Sequence, residues 1–269
     1  MGLSRIGLAV DTQEMDDKIT DAPAFFDGPH GPLAYRRRQP RGAPTGPGLV
    51  WLPGYGSDML GGKATAMAHF AADRGRDSLR FDYSGCGESP GDFEAGAVGR
   101  WTEDAAAAIA ALTRGPQILV GSSMGAWIAL LLLRGRRVPI AGLVLIAPAP
   151  DFATELTPTQ WSEEDWARLQ REGRLEIPGD EGFVMIYTRY LFEDGAQHRV
   201  LNAPLQAGCP VRILSGLADD VVPPGHVLRL ADHLEAEDMI VRFIKGGDHR
   251  LSRDSDIATL LTAMAEIAS

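Results

Sequence analysis

Leu119-Val120-Gly121-Ser122-Ser123-Met124-Gly125-Ala126-Trp127 is an apolar run that breaks into G-x-S-x-G and then resumes with helical spacing. A serine on a sharp turn between a strand and a helix sits on strained backbone that crosses close to neighbouring elements, so both flanks must be small. Gly121 and Gly125 meet that demand, and the pattern makes Ser123 the candidate nucleophile of a strand-turn-helix elbow. The same turn aims the Met124 amide at the place where negative charge would develop during attack on a carbonyl. In a chain with 31 glycines the pattern is weak by itself. Its weight depends on strand, helix and partner residues falling in order.

Those partners follow in the order nucleophile, acid, base. The strand predicted over Val211–Gly216 runs into Leu217-Ala218-Asp219-Asp220-Val221-Val222-Pro223, which puts Asp219 in the loop at its C-terminal end. The strand predicted over Met239–Ile244 ends in Lys245-Gly246-Gly247-Asp248-His249-Arg250, which presents His249 before a last helix. Ser123, Asp219 and His249 would then all lie beyond the C-terminal ends of parallel strands, where open α/β sheets form clefts. A serine hydroxyl needs an imidazole to take its proton and a carboxylate to hold the imidazole's tautomer, so these residue types in this order point to acyl transfer. Rivals exist for each. Ser122 occupies the first x of the motif and should point away from the cleft. Asp220 stays an alternative acid, since loop geometry is not readable from sequence. Asp248 reads as a loop hydrogen-bonding group, and His198 is the other histidine kept as a cleft contact.

A second donor to the developing oxyanion is expected from the loop after an early strand. Leu49-Val50-Trp51-Leu52 is closed by Pro53-Gly54-Tyr55-Gly56-Ser57-Asp58-Met59, which makes the Tyr55 amide the candidate; the alternative is a plain strand-to-helix turn. The glycine loop Phe81-Asp82-Tyr83-Ser84-Gly85-Cys86-Gly87-Glu88-Ser89 lacks the Lys-Ser/Thr ending of a P-loop, which argues against a nucleotide site.

Strands and helices alternate along the rest of the chain. Antiparallel strands are expected near 22–26 and 33–38, a helix near 62–74, a strand over 78–81, an alanine-rich helix over 101–112 and a buried strand over 140–146. This rhythm implies a mostly parallel, twisted sheet with helices on both faces. Between Ala147 and Pro210 it changes. Pro148, Pro150 and Pro158 interrupt the pattern, a helix opens at Ser162 with acidic first-turn residues, and a second helical stripe is expected over 183–192. The organisation expected is a core of residues 1–150 and 206–269, with residues 1–20 flexible, and an insert over 151–205. Trp161, Trp166, Met185, Tyr187 and Phe192 in that insert either line a substrate pocket or pack the insert onto the sheet.

The segments Arg80–Ser89, Gly115–Ser123 and Asp248-His249-Arg250 resemble the α/β-hydrolase family of serine esterases and thioesterases. Within it they are most similar to the mitochondrial branch of acyl-glucuronide esterases and palmitoyl-protein thioesterases. The likeness runs from about Phe25 to the C-terminus, interrupted mainly by the insert. Where many relatives carry His-Gly, this chain has Pro53-Gly54. The resemblance implies an α/β-hydrolase fold with the insert as a helical lid, hydrolysis of carboxylic esters or thioesters through an acyl-serine, and no cofactor. It leaves open other chemistry on the same scaffold (peptidase, carbon-carbon hydrolase, perhydrolase) and a non-catalytic ligand-binding protein.

Composition is consistent with these expectations. At 269 residues and 45% hydrophobic, the chain can bury one large core. A net charge of −10 with no basic stripe beyond Arg36, Arg37 and Arg38, which read as a solvated strand end, disfavours nucleic acid or an anionic membrane as partner. Cys86 and Cys209 sit in unrelated contexts without metal-ligand spacing, so no metal is expected and a reducing setting is. No apolar run approaches 18 residues, which argues against a membrane span. Met1–Thr20 carries Asp11, Glu14, Asp16 and Asp17, unlike a secretory signal or an Arg-rich transit peptide, so the expected location is the cytoplasm. The expected partner is a small acyl ester or thioester, and the expected assembly a monomer or homodimer.

Overall fold

The computed structural model describes residues 22–40, 42–178 and 184–268; the expectation of a flexible segment over 1–20 falls outside them. A hairpin of β1 (Ala24–Gly28) and β2 (Gly31–Arg38) opens the chain, followed by β3 (Gly48–Leu52), α1 (Gly62–Asp73), β4 (Ser78–Phe81), α2 (Val98–Leu112), β5 (Gln117–Ser122), α3 (Met124–Arg134) and β6 (Ile140–Ile146). The insert contributes α4 (Phe152–Glu155), α5 (Thr157–Gln160), α6 (Glu163–Glu172), β7 (Arg174–Pro178), β8 (Val184–Thr188) and α7 (Arg189–Gln197). The chain then returns through β9 (Leu205–Gln206), β10 (Val211–Gly216), α8 (Pro224–His233), β11 (Leu234–Glu235), β12 (Met239–Ile244) and α9 (Asp254–Ala268).

All positions of β3, β4, β5 and β10 are buried. Strands without a polar face must be covered on both sides, which is how parallel sheets survive in water. The central sheet has the order β1-β2-β4-β3-β5-β6-β10-β12. The pairings from β4 onward are parallel, and only the β1-β2 and β2-β4 pairings at one edge are antiparallel. Alternation with period two divides the strand residues between two cores. Val50, Leu52, Leu119, Leu143 and Ile213 face α2 and α3, and fully buried Trp101 and Trp127 join them from those helices. Leu49, Trp51, Ile118, Val120, Val144 and Leu214 face α1 and α9, against Met67, Phe70, Leu260 and Met264. Each such side chain contributes about 1.5–3 kcal/mol relative to exposure.

Three expectations change. First, the helix expected over 101–112 begins earlier, at Val98, and includes Gly99. Its amide is capped from a distance, because Asp194 Oδ2 accepts from Gly99 N at 2.8 Å and the side chains of Asp194 and His198 fill the space a Cβ would need. Second, the insert is not all helical. Where a helix is expected over 183–192, the β-rich stretch Val184-Met185-Ile186-Tyr187-Thr188 pairs antiparallel with β7, and the helix starts only at Arg189; Phe183 lies outside the described residues. The Ser162 helix is present, its hydroxyl accepting from Asp165 N at 3.1 Å. Third, Arg36 and Arg37 are not simply solvated, since Arg36 pairs with Glu88 and Arg37 Nε lies 3.2 Å from the Asp77 carboxylate.

The insert is fastened at a narrow neck. Asp151, fully buried just after β6, accepts from Val200 N at 2.7 Å and Leu201 N at 2.8 Å, so one carboxylate clasps the segment's outgoing and returning chain.

Candidate active site

Ser123 connects β5 to α3 at φ 54° and ψ −115°, a backbone region that costs a non-glycine residue about 1–3 kcal/mol. The strain is held by Ser123 N donating to Ile146 O at 2.8 Å and by Ser123 O accepting from Ala126 N at 3.0 Å. The two flanking glycines are sterically required. A Cβ on Gly121 would lie 2.5 Å from Gly125 O, and one on Gly125 would collide with the Leu52 carbonyl of β3. The elbow is therefore wedged against the neighbouring strand with no room for a methyl group.

Asp219 and His249 arrive from the ends of β10 and β12. Their loops are laced together by Leu217 N to Ile244 O and Ala218 N to Gly247 O, both 2.9 Å, and Gly216 has no Cβ because the Gly247 carbonyl occupies that space. His249 Nδ1 lies 2.9 Å from Asp219 Oδ2, and His249 Nε2 lies 3.0 Å from Ser123 Oγ. The Asp219 carboxylate is buried, and its other oxygen accepts from Val221 N at 3.0 Å and Val222 N at 2.7 Å, which fixes its orientation. Asp220 is exposed. Asp248 accepts from Leu251 N at 2.9 Å and stays a loop group, while Lys63 of α1 donates to the Arg250 carbonyl and braces the same loop. Ser122 is buried at the end of β5. His198 is engaged elsewhere, with Nδ1 2.8 Å from Asp194 O, and its pKa is raised by the Asp194 side chain.

The Pro53–Met59 loop abuts the elbow, for a Cβ on Gly54 would lie 3.4 Å from Ser123 Cβ. Neither the Tyr55 nor the Met124 amide has a hydrogen-bond partner among the described residues. The Tyr55 ring stacks on Tyr187 at 5.3 Å between centroids, and its hydroxyl donates to Ile186 O, so this loop also anchors the insert.

Asp82, fully buried after β4, ties that loop to the glycine loop. Its Oδ1 accepts from Met59 N at 2.7 Å and its Oδ2 from Glu88 N at 2.9 Å. Burial, opposed by these two amide bonds, pushes the carboxyl up from 3.8 to about 6. Between about pH 4 and 6 the native state keeps a proton that the unfolded chain has lost. Stability from this group therefore falls as pH rises through that window, by about 3 kcal/mol in all. Urea midpoints should show it: the stability of wild type minus that of Asp82→Asn declines from pH 4 to 6 and then levels. A difference independent of pH would contradict the assignment.

A cleft of about 290 Å³ opens beside the Tyr55 loop, lined by Gly56, Ser57 and Asp58, by Gly85, Cys86 and Gly87, by Phe93, and by Val184, Met185 and Ile186 of β8. Of the insert residues named from sequence, Met185 lines it. Trp161, Trp166, Tyr187 and Phe192 instead pack on one another with centroids 4.8–5.3 Å apart along the chain of contacts, the interior of the insert itself. Asp58, Cys86 and Phe93 line the cleft as well, and the glycines on either side of Cys86 are the one local sign of a loop at this place. Burial pushes the Cys86 thiol up to about 12, which keeps it protonated and a poor competing nucleophile. Among the described residues no cluster of His, Cys, Asp and Glu is arranged to hold a metal ion, and no helix is long and apolar enough to cross a membrane.

Comparison with known proteins gives a consistent result. Residues 49–263 match the family described as "Alpha/beta hydrolase family". The chain is 34% identical to the palmitoyl-protein thioesterase ABHD10, mitochondrial, of Rattus norvegicus over 251 residues, covering 91% of this chain and 82% of that protein. The Homo sapiens counterpart is 33% identical over 250 residues, covering 91% and 79%. Among solved structures, a putative hydrolase from Agrobacterium vitis S4 superposes with a TM-score of 0.87 at 39% identity, covering 92% of this chain and 98% of the other. Mouse alpha/beta hydrolase domain-containing protein 10 does so at 0.82 and 32%, with the same coverage. The names of the curated relatives overturn the cytoplasmic expectation, because those proteins are mitochondrial. Two cysteines without a disulfide framework suit any reducing compartment, so composition never distinguished one from another. On the profile match and on this extent of identity, the chain belongs to the alpha/beta hydrolase family.

Proposed function

We propose that this protein is a serine hydrolase that cleaves carboxylic esters or thioesters through an acyl-serine intermediate. The observation that carries the reading is the imidazole of His249, 3.0 Å from Ser123 Oγ on one side and 2.9 Å from the Asp219 carboxylate on the other. Asp219 accepts from Nδ1–H and so leaves Nε2 free to take the serine proton, and it stabilises the imidazolium that forms. Ser123 Oγ attacks the carbonyl carbon, and the amides of Tyr55 and Met124 donate to the oxyanion of the tetrahedral intermediate. The imidazolium returns its proton to the leaving oxygen or sulfur, and then activates water for deacylation by the same route. The relatives named palmitoyl-protein thioesterases support a thioester as the bond cleaved. The segment 151–205 acts as a lid over a core of 1–150 and 206–269, with Met185 on its substrate side and Trp161, Trp166, Tyr187 and Phe192 keeping it rigid.

A fluorophosphonate probe tests the assignment. The folded protein should be labelled at Ser123 and at no other serine, with loss of hydrolysis of a neutral thioester in step with labelling. Folded protein that takes up no label would favour a ligand-binding role on this scaffold.

A further inference from the structure

The amide of Tyr55 belongs to the proposed oxyanion site, while its side chain reaches into the joint between core and insert. Gly54 packs against the elbow, and the turn it opens is closed by Ser57 N donating to Gly54 O at 3.1 Å, with Gly56 at φ 65°. That turn gives the loop its shape. The Tyr55 ring then lies between two groups of rings. Phe93 and Trp101 of the core are 5.2 and 5.8 Å away between centroids, and Tyr187 and Phe152 of the insert 5.3 and 6.1 Å. All four separations are ones at which aromatic rings attract. Among the described residues the ring contacts that join core to insert are Tyr55 to Tyr187, Tyr55 to Phe152 and Trp127 to Phe152, so Tyr55 makes all but one of them.

The hydroxyl completes the attachment. It donates to Ile186 O in the middle of β8, a strand whose sheet has β7 as its one other member. Burial pushes the phenol's pKa up, so the proton stays in that bond. Among the described residues the other polar link from this ribbon to the core is Arg174 with Glu94, an ion pair at the surface that water weakens. One residue thus carries a backbone donor on the loop and a side-chain tie to the ribbon. A shift of the ribbon pulls on the loop through a single Cα.

We propose, on the reading of Ser123 as nucleophile and of the Tyr55 amide as oxyanion donor, that Tyr55 is through its side chain a positioning residue: tied to β8, it holds its own amide where the oxyanion needs it, and the hole is complete only while the β7–β8 ribbon is seated. The coupling is reciprocal. A ligand whose oxyanion fills the hole must tighten the ribbon by the same factor by which a seated ribbon tightens the hole.

Tyr55→Phe keeps the ring and the amide and removes the bond to Ile186 O. It should lower kcat for a neutral thioester about tenfold, a part of the roughly 10²–10³-fold that loss of an oxyanion donor costs, with KM within about twofold of wild type. Tyr190→Phe, which removes a hydroxyl from an exposed position of the same insert, should change neither. Trifluoroacetone supplies the second readout. Ser123 Oγ adds to its carbonyl carbon, the π electron pair moves onto oxygen as the oxyanion, and the serine proton passes to His249. In wild type this adduct should slow amide hydrogen exchange across 184–188 about tenfold, and in Tyr55→Phe it should not. Wild-type kcat in Tyr55→Phe, or a loss expressed in KM alone, overturns the proposal. So does ketone-induced slowing that is absent from wild type or undiminished in the variant, the latter meaning that the ligand touches the ribbon directly. The wild-type exchange measurement decides the matter even for a variant that does not fold. A wild type that neither hydrolyses the thioester nor takes up the ketone overturns the nucleophile reading as well, whereas hydrolysis without the coupling removes this proposal alone.

Discussion

Ser123→Ala should lower kcat for a neutral thioester or a p-nitrophenyl ester by about 10⁴-fold or more, while the thermal midpoint stays within a degree or two of wild type. The kinetic expectation follows from the proposed mechanism, in which Ser123 Oγ is the atom that bonds covalently to the acyl group. In serine hydrolases whose nucleophile and base act as a unit, loss of either costs nearly as much as loss of both. The residual rate would come from the amides of Tyr55 and Met124 and from substrate binding. The thermal expectation follows from the backbone. Alanine keeps the Cβ and the φ of 54°, and the bonds of Ser123 N to Ile146 O and Ala126 N to Ser123 O involve no side chain. A variant that keeps a tenth of the activity would rule out Ser123 as nucleophile, provided its midpoint shows that it is folded.

The largest stability effect is expected from a methyl group in the second glycine of the same turn. In Gly125→Ala the new Cβ would overlap the Leu52 carbonyl and crowd the Pro53 carbonyl, and both obstacles are main chain of the sheet and of the loop that carries Tyr55. Rotamer changes cannot relieve such contacts; α3 must move away from β3. Overpacking of this kind costs about 3 kcal/mol or more, which for a chain of this size is a fall of about 10 °C in Tm. Displacing the elbow by an ångström also separates Ser123 Oγ from His249, at a cost of about 10²-fold in kcat. Gly225→Ala is the comparison, since the first turn of α8 has nothing within 4 Å of that Cβ and a negative φ. It should leave Tm unchanged or slightly raised. Equal midpoints for the two variants would show that the elbow yields more than its geometry implies.

What could be read along the chain was what is written locally. Strands declare themselves by short runs rich in apolar residues, and β4, β6, β10 and β12 begin and end at the residues their patterns imply. Ser123, Asp219 and His249 could be picked out because each follows such a strand, and a strand's C-terminal end is a place in the fold as well as in the sequence. The parts that could not be read are those decided by a distant partner. The start of α2 ahead of Trp101 depends on Asp194, which accepts from the Gly99 amide from another helix. The segment 184–188 has the spacing of either a strand or a helix, and only pairing with 174–178 decides between them. Trp161, Trp166, Tyr187 and Phe192 announce an aromatic cluster without saying whether a ligand or each other is the occupant. Asp82 shows nothing unusual in sequence, because its importance lies in the two separate loops whose amides it accepts from.

The Asp151 clasp has a consequence for how such a protein changes over time. Since the outgoing and returning chain of the insert is joined by one carboxylate, the residues between them, about 50, begin and end at one place beside the sheet. Their lengths and loops can be rewritten by mutation, deletion or exchange without altering the spacing of the sheet beneath. On the proposed reading of this segment as a lid, selection for new substrates would act on one module while the sheet and its loops are inherited intact.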